Sequence, residues 1–92
     1  MFYYVYILES ESNSKELYIG YTNDLKKRLI QHNGGLSRST KRYLPWKLIY
    51  YEACLNINDA KRREKYFKTS QGRRLLKRRL KEYLYEKSKF NK

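Results

Sequence analysis

The sequence predicts an α+β domain, a three-stranded antiparallel sheet flanked by helices in the order β-β-α-β-α-α. Three observations carry this reading. Two runs of aromatic and aliphatic residues, Phe2 to Leu8 and Leu17 to Tyr21, flank a polar turn and read as a hairpin. A third such run, Lys47 to Ala53, stands apart from them in the chain. Beyond it, apolar residues recur at helical rather than alternating spacing. A chain of 92 residues builds one modest core, so a single domain is expected.

In the hairpin, Val5 and Ile7 alternate with Tyr4 and Tyr6, and Leu17 and Ile19 with Tyr18 and Gly20. Tyr6 and Tyr18 then share a face if the hairpin register permits. The segment Glu9 to Lys15, rich in serine and asparagine, is the turn. Thr22, Asn23 and Asp24 all suit a helix N-cap, and a helix should run to about His32, stopping at Asn33-Gly34-Gly35. Residues 36–46 read as a basic loop with room for a short helix. Asn56 or Asn58 caps a helix from Asp59 to about Thr69, and Ser70-Gln71-Gly72 is expected to break it. A last helix from Arg73 to about Glu86 presents Leu76, Leu80, Tyr83 and Leu84 as one stripe. The domain should span residues 1–87, with the polar segment 88–92 frayed.

Charge narrows the functional classes. Lys and Arg number 22 against nine Asp and Glu, a net charge of +13. Residues 1–46 carry net +3 and residues 47–92 net +10. Such an imbalance points to a polyanionic partner. The lone cysteine, Cys54, excludes an internal disulfide and a Cys-rich zinc site. It fits a reducing compartment, so a cytoplasmic location is expected. Phe2 to Leu8 is too short to span a bilayer and lacks signal-peptide flanks, so no membrane association is expected. A monomer is the default.

Polar residues interrupt the apolar stripes. In the first helix Leu25, Arg28, Leu29 and His32 fall on one face. In the second, Glu64 shares a face with Ala60 and Phe67. A core-facing Arg28 can snorkel, and His32 can be a satisfied core histidine. An inward glutamate is costly unless paired or bound to metal. An ion pair with Arg28 and a metal role are both open for it, and they are compatible. Together with the strand tyrosines, these groups can meet at the sheet edge. No serine or cysteine nucleophile stands beside the histidine, which argues against acyl transfer. One carboxylate suits a hydrated Mg²⁺-type ion, an arginine can stabilise phosphoryl charge, and a tyrosine or histidine can relay a proton.

The strings Tyr4-Val5-Tyr6 and Tyr18-Ile19-Gly20 resemble the two signature motifs of the GIY-YIG nuclease superfamily. Tyr4 replaces the glycine of the first. The run Tyr21 to His32, the stretch Trp46 to Glu52 and the helix Ala60 to Lys68 continue the resemblance, which covers residues 2 to about 84. The match is to compact stand-alone members, similar to the N-terminal nuclease domain found in excinucleases. The resemblance implies a GIY-YIG-like fold and a one-metal endonuclease. Tyr6 and Tyr18 would line the active site, one of them as general base or orienting the attacking water. Arg28 would steady the scissile phosphate, and His32 would assist proton transfer or leaving-group stabilisation. Glu64 would hold a single Mg²⁺ or Mn²⁺. The implied partner is nucleic acid, DNA ahead of RNA, with DNA repair among the open roles.

Two positions depart from the pattern. Some relatives carry a lysine where this chain has Tyr21, and many carry an asparagine in a last segment that here reads Thr69 to Arg74, with Gln71 the nearest substitute. These departures leave room for an alternative, a basic nucleic-acid-binding protein that does not cut. In either reading Arg38, Lys41, Arg42, Arg73, Arg74, Lys77 and Arg78 are candidate phosphate contacts.

Overall fold

The computed structural model describes residues 1–90. The elements are strands β1 (Tyr3–Ser10), β2 (Leu17–Thr22) and β3 (Trp46–Cys54), and helices α1 (Leu25–Asn33), α2 (Ile57–Phe67), α3 (Ser70–Arg79) and α4 (Lys81–Phe90). A short 3-10 turn, Lys41–Tyr43, lies in the α1–β3 connection. Both strand pairs are antiparallel and the sheet order is β2-β1-β3, so β1 is the central strand. This is the α+β, three-stranded architecture expected from the sequence.

Strand alternation gives the sheet two different faces. Val5, Ile7 and Ile19 point one way and pack with Ala60 and Phe67 from α2, Leu76 from α3, and Leu80 just beyond it. Tyr6 and Leu8 point the other way and pack with Trp46, Leu25 and Leu29, under α1. Each fully buried aliphatic side chain of this kind contributes roughly 1.5–3 kcal/mol. The larger apolar cluster, on the α2–α3 side, therefore carries most of the stability.

Helix starts follow the side-chain chemistry. Asp24 is the α1 cap and accepts from Lys27 N at 3.0 Å. Asn56, one of the two candidates, caps α2 and accepts from Asn58 N at 2.8 Å. Several boundaries differ from expectation. Strand β1 runs two residues past Leu8, because Glu9 is buried and satisfied rather than part of a turn. The Glu9 carboxylate accepts from the Tyr83 hydroxyl at 2.6 Å and from the Lys87 ammonium, both on α4. A buried carboxylate needs such partners, and here they fasten α4 to the end of the sheet.

The final helix is also two helices, not one. Leu80 drops into the core and caps α3, and α4 turns from it to bring Tyr83 and Lys87 over Glu9. Helix α4 reaches Phe90, three residues into the segment expected to fray; residues 91–92 of that segment lie outside the described residues.

The break between α2 and α3 comes earlier than expected, at Lys68-Thr69, with Thr69 capping α3 through Gly72 N at 3.0 Å. Gly72 is thus not a helix breaker. It lies inside α3 where α2 approaches, and a Cβ there would fall 1.9 Å from the Tyr66 carbonyl oxygen. Because that neighbour is backbone, Gly72→Ala should force the α2–α3 corner apart. The expected cost is about 2–4 kcal/mol, read as a lowered urea midpoint at unchanged m-value.

Candidate active site

The site grows from the register of the hairpin. Tyr6 pairs with Gly20, and Leu8 pairs with Tyr18, so Tyr6 and Tyr18 share a face as diagonal neighbours. Their ring centroids are 6.2 Å apart. Gly20 decides where the Tyr6 phenol goes. A Cβ at residue 20 would sit 2.6 Å from the Tyr6 hydroxyl oxygen and 2.7 Å from Cζ. Without it, the ring crosses over Gly20 toward the edge strand β2.

Helix α1 lies over this face and lowers two polar side chains, one turn apart, onto the Tyr6 hydroxyl. Arg28 Nε–H donates to Tyr6 Oη at 3.3 Å, and Arg28 Nη1 donates to Gln31 at 3.2 Å. Tyr6 Oη and His32 Nε2 are 2.9 Å apart. On its far side His32 Nδ1 lies 2.8 Å from Thr40 Oγ1. His32 and Thr40 are both fully buried. The Thr40 hydroxyl is directed at the Ser37 carbonyl, 3.5 Å away. Its oxygen therefore accepts from His32 Nδ1–H, which leaves Nε2 to accept from the Tyr6 hydroxyl. The result is a directional chain, Arg28 to Tyr6 to His32 to Thr40.

Thr40 is held by the loop that follows α1. Trp46 Nε1 donates to the Thr40 carbonyl at 2.6 Å, and the Asn33 side chain brackets the Trp46 backbone with bonds of 2.9 and 2.7 Å. The electrostatics follow from this enclosure. Burial lowers the His32 pKa to about 4, and the Arg28 charge adds to the effect. Burial raises the Tyr6 pKa, opposed by the Arg28 hydrogen bond. The Tyr6 bond raises the Arg28 pKa against a cost of burial, and Tyr18 acts in the same direction. At neutral pH the site therefore holds a neutral imidazole, neutral Tyr6 and a guanidinium.

Glu64 comes from the opposite layer. Ala60 and Phe67 anchor α2 in the core, and Glu64 between them keeps 17% of its side chain exposed. Its only ion-pair partner among the described residues is Lys68, at 3.5 Å, one turn along α2. The ion pair with Arg28 considered from the sequence is not formed, since Arg28 is committed to Tyr6 and Gln31. Glu64 is still close enough for its charge to push the Tyr6 pKa upward. No cluster of three or more His, Cys, Asp or Glu exists among the described residues. A divalent ion on Glu64 would therefore complete its shell with water and substrate oxygens, which suits a Mg²⁺-type ion.

The candidate phosphate contacts separate into two groups. Arg38, Lys41 and Arg42 lie in the α1–β3 connection, whose Tyr43 and Leu44 pack against the Tyr6 cluster. Arg73, Arg74, Lys77 and Arg78 lie on α3, which covers the other sheet face. Arg73 is partly engaged, donating to the Phe67 carbonyl at 3.0 Å. Gln71 is exposed in the first turn of α3. Thr40, Asn33 and Trp46 were not singled out from the sequence. Their roles depend on a loop closing back onto α1, and no local pattern announces that.

A family model described as the GIY-YIG catalytic domain matches residues 2–77. UPF0213 proteins of Streptococcus pyogenes are similar to the chain. Examples are SpyM50708 of serotype M5 strain Manfredo and MGAS10270_Spy1222 of serotype M2, each 45% identical over 71 residues, covering 76% of this chain and 75% of the relative. The solution NMR structure of UPF0213 protein BH0048 from Bacillus halodurans is 30% identical, with a TM-score of 0.49, covering 83% of this chain and 82% of that one.

Two outcomes are expected of the buried chain. The unfolded chain protonates His32 near pH 6.5, whereas the folded chain resists until about pH 4. Stability should therefore fall as pH drops through this window, by roughly 3 kcal/mol when complete. Denaturation midpoints across that range should flatten in His32→Gln relative to wild type. Separately, Thr40→Val removes the acceptor for Nδ1–H and should cost about 1–3 kcal/mol, while Thr40→Ser should recover most of it in the same melts.

Proposed function

The chain belongs to the GIY-YIG catalytic-domain family, and from that premise we propose that it is an endonuclease hydrolysing phosphodiester bonds in DNA. The observation that carries this reading is the hydrogen-bonded run of Arg28, Tyr6 and His32 with the Tyr18 ring packed against it, on the sheet face that α1 covers. Arg28 binds the scissile phosphate; its Nε bond to Tyr6 and Nη1 bond to Gln31 hold the guanidinium plane in place. Tyr6 takes a proton from the attacking water as its own passes to His32 Nε2. His32 begins neutral, so Nε2 is able to accept, and Thr40 fixes the tautomer. Tyr18, with its ring beside those of Tyr6 and His32, orients the water or phosphate there. A divalent ion on Glu64 would supply Lewis-acid stabilisation of the phosphate charge and the departing oxygen.

A second reading, a nucleic-acid binder that does not cut, is favoured by the Glu64–Lys68 pair, which competes for the carboxylate a metal would need. Both readings share the +13 charge and so both demand salt-sensitive binding.

Cleavage separates them. Wild type with Mg²⁺ or Mn²⁺ should cut at least one of single-stranded, duplex or branched DNA. Glu64→Ala, Tyr6→Phe and Arg28→Ala should each lose about 100-fold or more while melting as folded proteins. Full activity in Glu64→Ala would overturn the one-metal mechanism on Glu64. Tight binding without cleavage in either metal would establish the second.

A further inference from the structure

One cleft, about 500 Å³, lies over Glu9, Lys47 and Lys87, but both lysines there already pair with the Glu9 carboxylate. A second cleft, about 390 Å³, opens beside Arg28 and is chemically different. Its walls are the end of β2, the first turns of α1 and the start of α2, and it holds functional groups that the hydrolysis above leaves unused.

Tyr21 lines this cleft and is 37% exposed. It follows the β2 glycine and points to the sheet face opposite Tyr6, because it pairs with Val5. The Lys61 ammonium lies 6.0 Å from its ring centroid. Ile57 adds an apolar wall, Asn23 adds a side-chain amide, and Gln31, whose Oε1 accepts from Arg28, adds an amide NH2. Lys27 and Arg28 line the same cleft. The one carboxylate there, Asp24, is engaged as the α1 cap with Lys27 N. The cleft thus combines an aromatic ring, amides that can meet a base edge, and an excess of positive charge. Its volume falls in the roughly 300–1,000 Å³ range of small-ligand sites. That is room for one nucleotide, not for a stacked base pair.

We propose that this cleft is a nucleotide subsite, holding one unpaired nucleotide of a DNA strand next to the phosphate at Arg28, with its base against the Tyr21 ring. The placement of that phosphate rests on the role given to Arg28 above. A base inside a duplex has both faces stacked and its pairing edge occupied. A nucleotide that enters this cleft must be single-stranded, frayed or turned out of the helix. Lys27 and Lys61 neutralise the phosphates on either side of it. The protein's substrate is then DNA with an unpaired nucleotide beside the cleaved bond.

The test reads binding without cleavage. The full chain in EDTA is titrated into a short single-stranded oligodeoxynucleotide carrying 2-aminopurine, and into the same oligonucleotide annealed to its complement. Single strands should bind more tightly than the duplex, with 2-aminopurine quenched on stacking. Tyr21→Ala should weaken single-strand binding roughly 10-fold and remove the quench, whereas Tyr21→Phe should stay within about twofold of wild type. Lys61→Ala should weaken binding and make its salt dependence shallower, since it removes one phosphate contact. Wild-type affinity and quench in Tyr21→Ala would overturn the subsite, as would an equal loss on duplex. Because EDTA removes any metal, the outcome is independent of catalysis. Tyr21-dependent binding with no cleavage in the metal assays sinks the endonuclease reading and leaves the subsite; cleavage with Tyr21-independent binding does the reverse.

Discussion

The Tyr6 hydroxyl is the joint between the sheet and α1. It accepts from Arg28 and donates to a buried, neutral His32, which in turn is held by Thr40. A buried hydrogen bond of this kind nets only about 1 kcal/mol, but orphaning one of its partners costs more. The chain of bonds therefore works as a constraint more than as a source of stability. It ties β1, α1 and the following loop into one geometry, because no member can move without stranding a polar group in the interior. Asn33 and Trp46 extend the same constraint into β3. Among the described residues no buried side-chain polar atom lacks a partner.

The alternation of β1 divides labour between the two faces of the sheet. Val5 and Ile7 are committed to the apolar cluster with α2 and α3, while Tyr6 and Leu8 face α1. The candidate site and the core thus use the same strand without competing for the same positions. Glu64 stands on α2, in the layer that carries the apolar cluster. Its place is set by Ala60 and Phe67, which lock α2 into the core, so the carboxylate is positioned by packing rather than by bonds to the other site groups. The Glu64–Lys68 pair is loose and half in solvent, where such pairs contribute little.

Much of this was legible in the sequence because local rules and tertiary needs agreed. The hairpin, the Asp24 cap and the inward stripe of α1 follow from alternation, capping chemistry and helical spacing, and the stripe exposed Arg28 and His32 as anomalies. Three features were not legible, each for a physical reason. Glu9 resembles a turn residue until its partners arrive from α4, 74 and 78 positions away. Gly72 resembles a stop signal, but its missing Cβ serves close helix approach rather than a turn. Thr40 is one polar residue in a loop, and only the fold of that loop places it on His32.

The distribution of cations bears on how such a small domain can be selective. Arg38, Lys41 and Arg42 lie in the α1–β3 connection, and Arg73, Arg74, Lys77 and Arg78 on α3, so the cations fall on two different elements. A polyanion bound to either set is held by charge, with no discrimination and with strong sensitivity to salt. Selectivity must come from groups that touch a base or sense strand geometry. Near Arg28 those groups are Tyr21, Asn23, Gln31 and Ile57, and they stand at or beside the ends of β2, α1 and α2 rather than on a long loop. On the proposed reading, the diffuse charge brings nucleic acid to the surface, and the cleft admits only a strand that can present a free base. Affinity and selectivity are then separable physical properties of different residues, which is how one domain of this size can bind many strands and yet engage few of them productively.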